Sequence, residues 1–127
     1  MSPVPHIPAK YRPTGITFLY EDRDVIVINK QAGVLTTATI HGELDTAEEK
    51  VSNYLRKGCS RSSRRAYLVH RLDRETSGVL LFAKSEEAQF RIKENWAKNE
   101  KYYLALVQGH LQEARGTFES CLAENDD

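Results

Sequence analysis

From Ile16 onward, apolar and polar positions alternate in short runs. ITFLYED and DVIVINK are β-rich segments that meet at the acidic turn Glu21-Asp22-Arg23-Asp24, which predicts a strand pair. In the second run Val25, Val27 and Asn29 share one face, and Ile26, Ile28 and Lys30 share the other. Gly33 marks a turn. The period then lengthens. Ala47, Val51, Tyr54 and Leu55 form one stripe of a helix, opened by Thr46 with Glu49 three residues on, the spacing of a capping box. Gly58 is placed to end it. After the loop CSRSSRRA, a strand is expected from Tyr67 to Asp73, then a turn at Ser77-Gly78 and an apolar strand from Val79 to Ala83. Ser85 can cap a second helix, with Glu86 and Glu87 in the first turn, where the helix dipole favours negative charge. Ala88, Ile92 and Trp96 line one side of that helix. KYYLALVQG, from Lys101 to Gly109, predicts a further strand, with Tyr103, Ala105 and Val107 opposite Tyr102, Leu104 and Leu106. The order of elements is α+β, with strands outnumbering helices.

Composition narrows the class. The 127 residues suit one domain, and 40% hydrophobic with 28% charged residues is ordinary for a folded, water-exposed protein. Residues 1 to 14 contain Pro3, Pro5, Pro8 and Pro13 and read as an extended leader without the apolar core of a secretion signal. No apolar stretch approaches the roughly 20 residues of a membrane helix, so no membrane partner is expected. Cys59 and Cys121 suit free thiols of a reducing cytosol, and a cytoplasmic location is expected. His6, His41, His70 and His110 are isolated from one another and from the cysteines, and no metal site is expected.

The formal net charge is zero, yet it is unevenly distributed. Between Lys50 and Arg74 lie eight basic residues and one acid, Asp73, leaving +7 there and −7 on the remainder. Arg61, Arg64 and Arg65 fall in the loop of that span. Such a patch can attract a polyanion, although a charge run alone fits a solvated helix end and loop better.

The stretch HRLDRETSGVLLFAK, His70 to Lys84, concentrates the chemistry. It sets Asp73 between Arg71 and Arg74 immediately before an apolar run. If residues 69 to 73 are extended, Arg71 and Asp73 point to one face and His70, Leu72 and Arg74 to the other. A guanidinium beside a carboxylate favours its ionised form, which makes a poor general base but a usable nucleophile or electrostatic stabiliser. Taken alone, the same residues fit a strand-end salt bridge better. Lys101-Tyr102-Tyr103 adds an aromatic able to stack on a base.

HRLDRETSG closely resembles the H-R-L-D-x-x-T-S-G signature of the RluA-type pseudouridine synthases. YEDRDVIVINKQAG resembles that family's first motif, and KYYLALVQG its lysine–x–tyrosine strand motif, in the same order; the likeness runs from about Ile16 to Gly109. It implies a pseudouridine synthase-like mixed, mainly antiparallel sheet with flanking helices, and isomerisation of uridine to pseudouridine in structured RNA, ribosomal or transfer. Asp73 would be the essential residue, attacking sugar or base. Tyr103 would pack on the target base, and Arg71 would lie beside the carboxylate and enter the space left by the flipped nucleotide. Arg61, Arg64, Arg65, Arg74 and Lys101 are the expected RNA contacts. The family uses no metal or organic cofactor, and no protein partner is expected of a monomer.

The sequence departs from the family in places. Gln31 stands where the first motif usually has proline. Nothing after the tyrosine strand matches the family's later basic segment, so residues 15 to 127 read as the N-terminal part of a catalytic domain, with a sheet incomplete at its C-terminal side. An open sheet edge predicts low stability and little or no turnover by this chain alone. Two rivals follow. A non-catalytic RNA-binding remnant would keep the surface and lack turnover. An aspartyl phosphatase of the haloacid dehalogenase type is opposed by Glu75, which stands where its D-x-D-x-T motif needs aspartate.

Overall fold

The computed structural model describes residue 4 and residues 6–123. Four strands form one antiparallel sheet in the order β1-β2-β4-β3: β1 Ile16–Glu21, β2 Val25–Lys30, β3 Tyr67–Leu68 and β4 Gly78–Ala83. Helix α1, Ala47–Arg56, lies in the chain between β2 and β3, and α2, Glu86–Glu94, follows β4. The α+β class and the mainly antiparallel sheet are as the sequence predicts. Among the described residues no helix is long and apolar enough to cross a membrane.

The predicted strand pair forms around Asp22. Its Oδ1 accepts from the backbone N–H groups of Asp24 and Val25, both at 2.8 Å, and this closes the turn. The two faces of β2 separate as the alternation requires, with Ile26, Ile28 and Lys30 fully buried. Ile16 and Phe18 join that face from β1. An irregularity between Phe18 and Tyr20 then shifts the register, so Glu21 pairs with Ile26 and turns toward α1. There its Oε2 accepts a 2.6 Å hydrogen bond from the Tyr54 hydroxyl, and its Oε1 meets Lys84 Nζ at 2.9 Å. Burial and the Glu21 hydrogen bond push the Tyr54 phenol far above its usual range.

Each helix covers one face of β4. Ala47, Val51 and Leu55 of α1 pack with Ile16, Phe18, Ile26, Ile28, Leu80 and Phe82. Ala88 of α2, with Ile92 and Trp96, packs with Val69, Leu81 and Ala83 on the opposite side. Both predicted caps are present: Thr46 accepts from Glu49 N–H, and Ser85 from Ala88 N–H. Helix α1 ends at Lys57, which adopts the left-handed conformation one residue before Gly58. The segment read as an extended leader makes a short 3-10 turn at Ala9–Tyr11, and Ile7 packs against the core.

Two strand predictions need correction. The strand expected over residues 67–73 is only Tyr67–Leu68. Its ladder stops because the N–H of Leu81, next in register, donates to His70 Nε2 at 3.0 Å and not to a backbone carbonyl. The expected strand at Lys101–Gly109 is absent, and those residues are exposed without regular structure. Alternating side chains alone do not make a strand; the backbone needs a hydrogen-bonded neighbour, and among the described residues these are paired with no strand of the sheet.

Candidate active site

The site is built where the end of β2 meets the connection between β3 and β4, at the sheet end where Lys30 pairs with Gly78. Its foundation is the N-terminus of α1. The first N–H groups of a helix lack intrahelical partners. Here those of Ala47 and Glu48 donate to the carbonyls of Leu35 (2.8 Å) and Thr36 (3.0 Å). Thr37 Oγ1 donates to the Glu48 carboxylate. The stretch after β2 is thereby fixed to the helix.

From that stretch two groups reach the Asp73 loop. Thr36, 1% exposed, donates through Oγ1 to the Leu72 carbonyl at 2.6 Å and accepts from the Leu72 N–H at 3.1 Å. Lys30, fully buried, directs Nζ to the carbonyls of Gln31 (3.2 Å), Val34 (2.6 Å) and Arg74 (3.1 Å). Three acceptors match the three donors of an ammonium. Burial pulls the Lys30 pKa below its usual value, while the Glu75 and Asp73 carboxylates act to raise it. The Arg74 carbonyl also accepts from Gly33 N–H at 2.7 Å. Gly33 has φ +95°, a conformation that side-chain-bearing residues rarely adopt. Finally Thr76 N–H donates to the Asp73 carbonyl at 3.1 Å and closes a turn.

The result is a loop whose backbone is tied down while its charged side chains face outward. Leu72 is buried in the α1-side core, whereas Arg71, Asp73, Arg74 and Glu75 are exposed. Asp73 and Arg71 thus flank a pinned residue, but no ion pair joins Asp73 to Arg71 or Arg74 among the described residues. Lys30, buried beneath the loop, is the cation on which the Glu75 and Asp73 carboxylates act. Sequence periodicity carried a signal for it, since a lysine in phase with Ile26 and Ile28 must be buried with them. Thr36 carried none.

The other expected site residues belong to segments outside this pinned loop. Tyr103 is 62% exposed on the segment without secondary structure. Lys101 places its ammonium 5.4 Å from the Trp96 ring centroid, and Trp96 stands 5.0 Å from His70, on the α2 side. Arg61, Arg64 and Arg65 are exposed in the loop ahead of β3. That loop enters the sheet opposite Ala83, at the far end of β4 from Gly78. Six residues of strand separate the two ends, about 17 Å at ~3.4 Å per residue. The Arg65 guanidinium lies over the Tyr67 ring at 4.4 Å.

A family model described as RNA pseudouridylate synthase matches residues 24–127. The chain belongs to this family. Among curated members, tRNA pseudouridine synthase C of Haemophilus ducreyi is 38% identical over 77% of this chain and 39% of that protein. The dual-specificity RNA pseudouridine synthase RluA of Salmonella typhi is 32% identical over 80% of this chain and 44% of its own length. These relatives place the chain among the RluA-type pseudouridine synthases, and it spans about two fifths of their length. The fold agrees. Human RNA Pseudouridylate Synthase Domain Containing 4 superposes with a TM-score of 0.51 over 64% of this chain and 29% of that one, at 22% identity.

Proposed function

We propose that this chain forms the N-terminal part of a catalytic domain that isomerises uridine to pseudouridine in structured RNA, ribosomal or transfer, with Asp73 as nucleophile. One observation carries the reading: Asp73 is an exposed carboxylate that directly follows the pinned Leu72, on a loop whose backbone is held at Leu72, Arg74 and Thr76. A solvent-facing acid of purely structural use would not need three such anchors. Holding a reacting group in place is a large part of what a protein contributes to a substitution at carbon.

In this reading the bond between uracil N1 and C1′ breaks and one from C5 to C1′ forms. The C5 proton leaves and N1 gains one, so the reaction is an isomerisation with no other reactant. The Asp73 carboxylate holds one fragment between the two steps. Extruding a stacked uridine costs a few kcal/mol. Arg71, exposed one residue before the pinned Leu72, fills the vacated space, and Tyr103 packs on the base. Arg61, Arg64, Arg65, Arg74 and Lys101 take phosphates. The domain acts as a monomer in the cytoplasm, without metal or organic cofactor.

A second reading has its own support. Because Tyr103 sits on an exposed segment without regular structure, this chain by itself can act as an RNA binder that lacks turnover. Asp73→Asn separates the two. An isomerase loses pseudouridine formation on a uridine-containing transcript and keeps its RNA affinity within about twofold. A binder forms no product before the substitution.

A further inference from the structure

We propose that Thr36 is the positioning residue for Asp73, doing for Leu72 what a neighbouring strand would otherwise do. The proposal rests on the reading of Asp73 as nucleophile. Beyond Leu68 the β3 ladder has ended, so the N–H and C=O of Leu72 have no strand to bond to. Both are inside the protein, since Leu72 is packed in the core. Buried backbone groups must find partners. One hydroxyl meets both needs: it carries a single proton, given to the Leu72 carbonyl at 2.6 Å, and lone pairs that receive the Leu72 N–H at 3.1 Å.

The consequence concerns direction. Leu72 lies between Arg71 and Asp73, so its backbone torsions decide where both side chains start. Its side chain is held by the core and its main chain by Thr36, which leaves little freedom at that residue. Thr36 is itself rigid. Its carbonyl accepts from the Glu48 N–H of α1, and a β-branched side chain has few torsional choices about χ1. Asp73 is therefore referenced to α1 through Thr36 and Leu72. A reacting group displaced by about 1 Å loses rate on the order of a hundredfold, so this path sets turnover and leaves RNA affinity alone.

The test substitutes Thr36 by valine, which keeps the shape and removes both hydrogen bonds, by serine, which keeps the hydroxyl, and by cysteine, whose thiol bonds weakly. Amide hydrogen exchange at Leu72 and Thr76 reports the loop, with Gln89 in α2 as the internal control. Conversion of a uridine-containing transcript at saturating protein reports chemistry, and the dissociation constant for the same transcript reports binding. Thr36→Val is expected to speed Leu72 exchange at least tenfold and slow conversion at least tenfold, with affinity within twofold. Thr36→Ser should recover most of both losses, and Thr36→Cys should fall between. Exchange at Leu72 unchanged in the valine protein, or equal conversion by the serine and valine proteins, would overturn the proposal. If the valine protein does not fold, the serine and cysteine proteins decide, and equal exchange and conversion in those two overturn it as well. Unsubstituted protein that converts no uridine favours the reading of this chain by itself as an RNA binder, and the exchange data then decide the Thr36 contact independently.

Discussion

Lys30 Nζ donates a 3.1 Å hydrogen bond to the Arg74 carbonyl, forty-four residues further along the chain. The contact joins the end of β2 to the loop that carries Asp73, and it does so from inside the core. An ammonium is costly to bury, because water solvates it better than any apolar interior. Here three carbonyls replace that water, and the charges of Asp73 and Glu75 offset part of the remaining cost. The contact places a buried cation beneath the loop, where the Glu75 and then the Asp73 carboxylate act on it.

Replacing Lys30 by methionine tests how much this contact holds. Methionine fits the stem of the lysine and removes its buried charge, which taken alone favours the variant. Against that, the Gln31 and Val34 carbonyls lose the donor seen here, while the Arg74 carbonyl keeps Gly33 N–H. An unsatisfied buried group costs about 1–3 kcal/mol; these two acceptors are part-buried, and with the lost attraction to Glu75 and Asp73 they outweigh the relief. The expected net loss is about 1–3 kcal/mol, read as a lower urea midpoint at unchanged slope. An unchanged midpoint would show that the carbonyls find other partners and that Lys30 is dispensable to the loop.

The pH dependence of stability should carry a signature of His70. Its Nε2 accepts from Leu81 N–H, so the ring is neutral with its proton on Nδ1, which is buried without a partner among the described residues. Burial, and then the Lys101 charge, hold its pKa below the usual histidine value. The sign follows from proton uptake. Below the ordinary value near 6.5 the unfolded chain binds a proton that the folded one resists, so stability is full above that pH and falls as pH drops through it. Between pH 6.5 and 5.5 the loss is expected to reach up to about 1 kcal/mol. His70→Gln can still accept from Leu81 and does not titrate. Its melting temperature should fall less over this range, and an equal fall in both proteins would assign the effect elsewhere.

His70 also shows where the sequence stopped being legible. Residues 67–73 read as a strand because their alternation is that of a strand, and Leu72 is buried as the pattern requires. What ends the ladder is an imidazole nitrogen taking one backbone proton, an event that leaves no trace in periodicity. The irregularity beside Leu19 is similar: it brings Glu21 round to Tyr54, although simple alternation would put Tyr20 on that face. The strand expected at Lys101–Gly109 fails for another reason, since a period of two specifies faces and never a partner. By contrast, the caps at Thr46 and Ser85 and the two faces of β2 depend on neighbours in sequence, and these were legible. For the site, the signature exposed Asp73 directly. Its supports were only half visible, Lys30 through its phase and Thr36 not at all, because a hydroxyl thirty-six residues from Leu72 has no local mark.

The last expectation concerns the basic loop. Of the eight cations between Lys50 and Arg74, Lys50 is paired with Asp45 and Arg56 with Glu49. Arg61, Arg64 and Arg65 have no ion pair among the described residues, so their charge is available to phosphates. They stand about the length of β4 away from Asp73, too far to touch the reacting nucleotide. Their contribution should therefore be affinity without chemistry. Each phosphate contact releases counterions and adds about 0.7–0.9 to the slope of log affinity against log salt. Replacing all three by glutamine should lower that slope by about 2 and weaken binding at low salt, with single-turnover conversion at saturating protein unchanged. Binding and conversion measured from 50 to 300 mM salt decide it. A slope that stays the same would mean that the loop points away from the RNA and that the +7 segment is a solvated surface; a loss of conversion at saturation would place the loop at the reacting base.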